Sequence, residues 1–185
     1  IAAALAHLAA RQGDLASLLT FDEGLREYMP PGSTQNHLRQ ICRVLERNEP
    51  GSRTSVAQAL RKGFGLCRQR GVLVLISDLY DDPGEIFSAL HRYIHARFQV
   101  ILFHVMDPAE LSLEPGSLAQ YRDMETGERI IADPLRLAPG YNARMAEFIH
   151  SLRSLAARRQ VEYVLARTDT HYFDLFEKYL RRRKR

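Results

Sequence analysis

The stretch "VLVLISDLYDDPGE" (residues 72–85) joins five apolar residues to Ser77 and Asp78, and then to Asp81, Asp82, Pro83 and Gly84. An apolar run without polar alternation, bounded by turn residues, reads as a strand covered on both faces, the most buried strand of the chain. An aspartate ahead of a proline reads as a helix start: the carboxylate accepts from free amides and proline takes the first helical position. The negative cluster therefore divides on paper. Asp81 and Asp82 are expected to cap the next helix, whereas Asp78 directly ends the strand.

Working outward, the same alternation recurs. "FQVILFHV" (98–105) and "VEYVLA" (161–166) read as further buried strands. Amphipathic helices are expected over 2–12, 33–47, from Thr54 with Val56, Leu60, Phe64 and Cys67 on one face, from Pro83, from about Pro139 to Arg158, and over 170–182. "LASLLTF" (15–21) reads as a strand and "LREYMPP" (25–31) as an edge strand, since proline is tolerated at an edge. "LAQYRD" and "GERIIAD" form a hairpin insertion within 111–133. Buried strands alternating with helices predict an α/β fold: a doubly wound, mostly parallel sheet with helices on both faces, in a single domain spanning 1–185. In such sheets ligands bind outside the carboxyl ends of the strands, where Asp78 and Asp107 fall.

Composition narrows the function classes. The chain has 185 residues, 45% hydrophobic and 26% charged, which is ordinary for a globular domain. No run approaches the roughly 18 apolar residues of a membrane span. The net charge of +4 rests largely on the tail "RRRKR" (181–185), and no basic stripe interleaved with aromatics predicts a nucleic-acid partner. Cys42 and Cys67 lack C-x-x-C spacing and read as small apolar filler in a reducing, cytoplasmic setting. The opening "IAAALAHLAARQGD" begins as though already inside a helix, so a fragment with an N-terminal part not shown is expected.

His91 and His95 stand at i, i+4, but no third zinc ligand accompanies them, and they read as a surface pair. His104 alternates within a buried strand and reads as a hydrogen-bonded core histidine. Phosphate-loop, dinucleotide and serine-nucleophile motifs are missing. No histidine is expected beside Asp78. What remains is a pair of hard oxygen ligands suited to Mg²⁺: Thr54, at the start of a helix, and Asp78, at the end of the following strand. Asp107-Pro108, Asp133-Pro134 and Asp169-Thr170 read as further helix caps.

"QGDLASLLTFDEGLREYMPP", "GSRTSVAQAL", "VLVLISDLYDDP", "ILFHVMDPAE" and "YRDMETGERIIADP" occur in an order that resembles the von Willebrand factor A-like bacterial proteins of the domain-of-unknown-function 58 family. The resemblance implies a metal-ion-dependent adhesion site in which a D-x-S-x-S loop, a threonine and an aspartate hold Mg²⁺. Thr54 matches the threonine and Asp78 the aspartate, with Asp107 on the rim. The D-x-S-x-S loop does not occur in this sequence, so the resemblance implies a chain that lacks its first, central strand. Mg²⁺ is then expected in the full-length protein and weak or absent in this fragment. The resemblance further implies an adaptor or chaperone-like protein-interaction role beside a MoxR-type AAA+ ATPase or its client, rather than an enzyme. The alternative is a magnesium-dependent hydrolase or phosphoryl-transfer enzyme using Asp78.

Overall fold

The computed structural model describes residues 1–49, 54–114, 116, 119–122, 129–171 and 173–176. The chain divides into two compact units, Ile1–Arg68 and Gln69–Arg185.

The first unit is built on an antiparallel hairpin, β1 (Ala16–Phe21) with β2 (Leu25–Gly32). Asp22 makes its turn by accepting from the Gly24 amide through Oδ1 at 3.1 Å. Helix α1 (Ala2–Arg11) ends before Gly13, whose φ of +77° suits a residue without a side chain. Helix α2 (Gln35–Arg47) is capped by Thr34, which accepts from the His37 amide, and it buries Ile41 and Val44. Helix α3 (Val56–Phe64) buries Val56, Ala57, Ala59 and Leu60. Cys67 lies beyond its end and is exposed, not on the helical face expected for it, because Gly65 already closes the helix.

The second unit carries a parallel three-stranded sheet in the order β3 (Val72–Ser77), β4 (Gln99–Met106), β7 (Glu162–Arg167). Helix α4 (Pro83–His95) connects the first two strands, and α6 (Pro134–Arg158) leads into the third. The two helices pack on each other and on the sheet. Successive side chains of a strand point to opposite faces. His104 meets Phe148 of α6, while its neighbour Phe103 meets Phe176 edge-on at 6.4 Å from the helical residues 173–176. Both faces of the sheet are therefore covered by helix, as the sequence pattern predicts.

Three readings need correction. The most buried strand is β4, not β3: six of its eight residues are buried, against Leu75 alone in β3. Among the described residues β3 pairs only with β4, so its apolar run lies at an edge of this sheet and Val72 is 55% exposed. Helix α6 begins at Pro134, capped by Asp133, and runs through Pro139. Residues 15–21 and 25–31 pair with each other in a sheet of their own. The hairpin of 111–133 is present as β5 (Ala119–Arg122) paired with β6 (Arg129–Ala132), with a short helix α5 (Pro108–Leu111) before it. Residues 123–128 between those two strands, most of the helix expected over 170–182 and the basic tail lie outside the described residues. No described helix is long and apolar enough to cross a membrane.

Candidate functional site

The carboxyl end of β3 is shaped by Leu79. This residue has φ +59° and is fully buried. A left-handed backbone costs a leucine roughly 1–2 kcal/mol, which full burial of its side chain offsets by roughly 1.5–3 kcal/mol. Leu79 thus anchors the turn inward while its neighbours, Asp78 and Tyr80, face solvent. Ser77 Oγ accepts from the Leu79 amide at 3.1 Å and donates to Asp78 Oδ1 at 3.2 Å. The Tyr80 amide reaches the same Oδ1 at 3.4 Å. Asp78 Oδ2 has no hydrogen-bond partner among the described residues.

The neighbouring carboxylates are committed to the backbone. Asp82 is the cap of α4, accepting from the Glu85 amide at 2.8 Å. Asp81 was expected to cap as well, but its Oδ1 accepts from the Asp82 amide instead. It lies one position too early to reach the helix's free N–H groups. Asp107 caps α5 in a reciprocal box with Glu110. Its Oδ1 accepts from Ala109 and its Oδ2 from the Thr168 hydroxyl at 2.6 Å, and these two donors hold its carboxyl below the usual carboxylate range. Asp133 caps α6. Asp169 does not cap a described helix: it takes a bidentate pair from Arg167, at 3.0 and 2.7 Å, which lowers its carboxyl in turn.

His104 lies next to this turn, contrary to the expectation that no histidine stands beside Asp78. In the β3–β4 register it is the partner of Ser77. It is fully buried, and its Nδ1 lies 2.6 Å from the Tyr163 hydroxyl. Burial pushes the imidazole below its ordinary value; the nearby Asp78 main chain and carboxylate oppose the shift without reversing it. Burial also pushes the Tyr163 phenol up to about 12. Phe148 stands edge-on to the ring at 5.9 Å, and exposed Tyr80 stacks on Phe148 at 6.1 Å. The imidazole is thus buried behind the exposed Asp78.

Thr54 lies in the first unit, exposed, one residue ahead of Ser55, the cap position of α3. The Ser55 amide donates to the Asp22 carbonyl at 2.9 Å, which ties this approach to the hairpin turn. Asp78 belongs to the second unit, so each residue is placed only within its own unit. His91 and His95 are exposed on α4 with their rings stacked at 5.5 Å. Among the described residues no group of three or more histidine, cysteine or acidic side chains is arranged to hold a metal. A threonine hydroxyl and one free carboxylate oxygen fit Mg²⁺ in kind, but two protein ligands leave most of an octahedral shell unfilled.

Residues 1–147 match the family described as "Protein of unknown function DUF58". No curated protein is significantly similar to the chain. Two solved structures share its fold. One is the crystal structure of an aerotolerance-related membrane protein from Bacteroides fragilis NCTC 9343 with multiple mutations to serines, at 18% identity and TM-score 0.56, covering 91% of this chain and 80% of that one. The other is the conserved hypothetical protein BatB from Bacteroides thetaiotaomicron, at 15% identity and TM-score 0.55, covering 99% of this chain and 87% of that one. At such identities the likeness concerns the fold alone. With its parallel sheet covered on both faces and most of its length matched, the chain belongs to the DUF58 family and has a von Willebrand factor A-like fold.

Proposed function

We propose that the chain is a protein-interaction module rather than an enzyme, and that the carboxyl end of β3 is where it meets its partner. The observation that carries this reading is Asp78. Its carboxylate is exposed at a strand's carboxyl end and has an uncommitted oxygen, while Asp82 and Asp107 beside it are taken up in helix caps. Among the described residues the histidine beside this turn, His104, is fully buried with Nδ1 on the Tyr163 hydroxyl, which argues against its acting as a general base on the exposed side.

On this reading Asp78 would supply one carboxylate oxygen to Mg²⁺. The family resemblance adds the Thr54 hydroxyl as a second hard-oxygen ligand, and that part stands on the resemblance alone. A bound Mg²⁺ supplies a hard cationic centre able to attract a partner's carboxylate. What the chain itself does is hold the Asp78 carboxylate outward, through the buried Leu79 and the Ser77 and Tyr80 bonds, and place the aromatic Tyr80 beside it. The partner proposed is a MoxR-type AAA+ ATPase or its client.

The test is calorimetric titration of the chain with a MoxR-type ATPase, without nucleotide, in Mg²⁺ and in chelator, for wild type and Asp78→Ala. Binding that weakens at least tenfold in chelator and in Asp78→Ala supports the reading. Equal affinity in all four arms refutes the role of the metal and of Asp78. Mg²⁺-dependent turnover of phosphate, ester or peptide substrates that vanished in Asp78→Asn would establish the enzyme alternative instead.

A further inference from the structure

We propose that the second unit carries a separate anion site, for a phosphate monoester, in the groove between α4 and the carboxyl end of α6. The groove, of about 510 Å³, is lined by Ser88, His91 and Ile94 from α4 and by Arg158 and Arg159 from α6. Four of these five residues can donate a hydrogen bond, and none is acidic. Arg159 is pre-organised: one of its terminal nitrogens donates to the Phe87 carbonyl at 2.7 Å, and its guanidinium lies 5.9 Å over the Phe87 ring. That leaves the rest of the guanidinium fork held in one orientation. Among the described residues no carboxylate stands within ion-pair distance of Arg158 or Arg159.

The plainer account of these arginines is compensation of a helix dipole, since Arg158 is the last residue of α6 and Arg159 its cap. The negative pole of a helix is equivalent to about half an elementary charge. Two guanidinium groups exceed it by about one and a half charges, so dipole compensation accounts for only part of the cluster. Two guanidinium forks with a hydroxyl and an imidazole N–H suit a tetrahedral dianion with three exposed oxygens better than a carboxylate with two. The volume exceeds that of a bare phosphate ion, and Ile94 offers the apolar contact for an organic substituent. The site faces α4 and α6 near the amino-terminal ends of the strands they feed, away from Asp78, and does not depend on the metal reading.

The experiment is amide NMR of the ¹⁵N-labelled chain, titrated at constant ionic strength with inorganic phosphate, with a phosphoserine peptide and with sodium chloride as control. Saturable shifts at Ser88, His91, Arg158 and Arg159 are expected with both phosphate probes and not with chloride. Arg158→Gln is expected to weaken binding at least fivefold; its side chain is exposed, so the fold should persist, and the unchanged spectrum elsewhere checks this. Ser88→Ala provides a second variant on the opposite wall. A peptide bound at least tenfold tighter than phosphate assigns the ester to a protein side chain, and equal affinities assign it to a small molecule. Shifts that do not saturate, that chloride reproduces, or that survive both substitutions unchanged overturn the proposal.

Discussion

Replacing Asp82 and Asp78 one at a time by alanine should separate two carboxylates only four residues apart. Asp82 Oδ1 accepts from the Glu85 amide at 2.8 Å, a full-strength cap, and its loss should cost about 1 kcal/mol. The loss should stop there, because Ile86, Phe87, Ala89, Leu90 and Tyr93 remain buried and hold the rest of α4 in place. In a chain of this size that lowers Tm by roughly 2–4 °C. The Asp78 contacts are weaker, at 3.2 Å from the Ser77 hydroxyl and 3.4 Å from the Tyr80 amide, the outer limit of useful hydrogen-bond lengths. Because the side chain is exposed, Asp78→Ala should change stability by no more than about 0.5 kcal/mol. The assay is thermal and urea unfolding in chelator, both variants beside wild type. Adding Mg²⁺ to the chain alone should give at most about 0.4 kcal/mol at concentrations up to the dissociation constant. If Asp78→Ala destabilised the metal-free chain as much as Asp82→Ala, Asp78 would be a structural residue, and the reasoning that reserves it for a ligand would be refuted.

Three further outcomes follow from the packing. Gly32→Ala should destabilise the chain by about 1–3 kcal/mol, because an added Cβ would meet the His37 ring at 2.7 Å while that ring is held by the Ala16 carbonyl; His37→Ala in the same chain should recover part of the loss in urea melts. Tyr163→Phe should cost about 1–3 kcal/mol, since it leaves the buried His104 Nδ1 without the hydroxyl it meets. His104 binds its proton less readily folded than unfolded, so the unfolded chain takes up more protons as pH falls and stability drops with it. That contribution should be complete above the unfolded value of about 6.5 and decline below it; unfolding from pH 8 to 5 should show a slope that His104→Gln flattens, and an unchanged slope would contradict it.

Much of this architecture is legible in the sequence, for identifiable reasons. The apolar runs of β3, β4 and β7 and the Asp-Pro starts of α4, α5 and α6 are local signals, and each produces the element it predicts. What sequence pattern does not carry is neighbourhood. The five apolar residues of β3 show what the strand could bury, not that it lies at an edge of its sheet with Val72 exposed. Helix α6 offered two prolines as starting points. The fold uses Pro134, because Pro139 inside the helix forfeits one backbone bond to the residue four earlier while Pro134 and Ala138 gain burial. His104 was hidden for a related reason: its proximity to Asp78 follows from the register between two strands, which neither strand's own pattern contains.

The acidic run after β3 then has a physical division. A carboxylate whose oxygens already accept strong backbone bonds can bind a cation or a partner only by giving those bonds up. Asp82 would forfeit the cap of α4, and Asp107 would forfeit both its cap and the Thr168 hydroxyl. Asp78 would forfeit least, since its two contacts are long, fall on one oxygen and are open to water. Leu79 makes that availability lasting. With its side chain fully buried and its backbone in the left-handed region, the turn cannot swing Asp78 inward without exposing a leucine. Leu79→Ala should therefore loosen the orientation of Asp78 along with the packing, and partner affinity should fall further than the same loss of stability elsewhere would explain. Leu152→Ala, in the buried face of α6, provides the matched comparison. Equal affinities in the two variants at equal stability would show that the turn does not hold Asp78 for its partner.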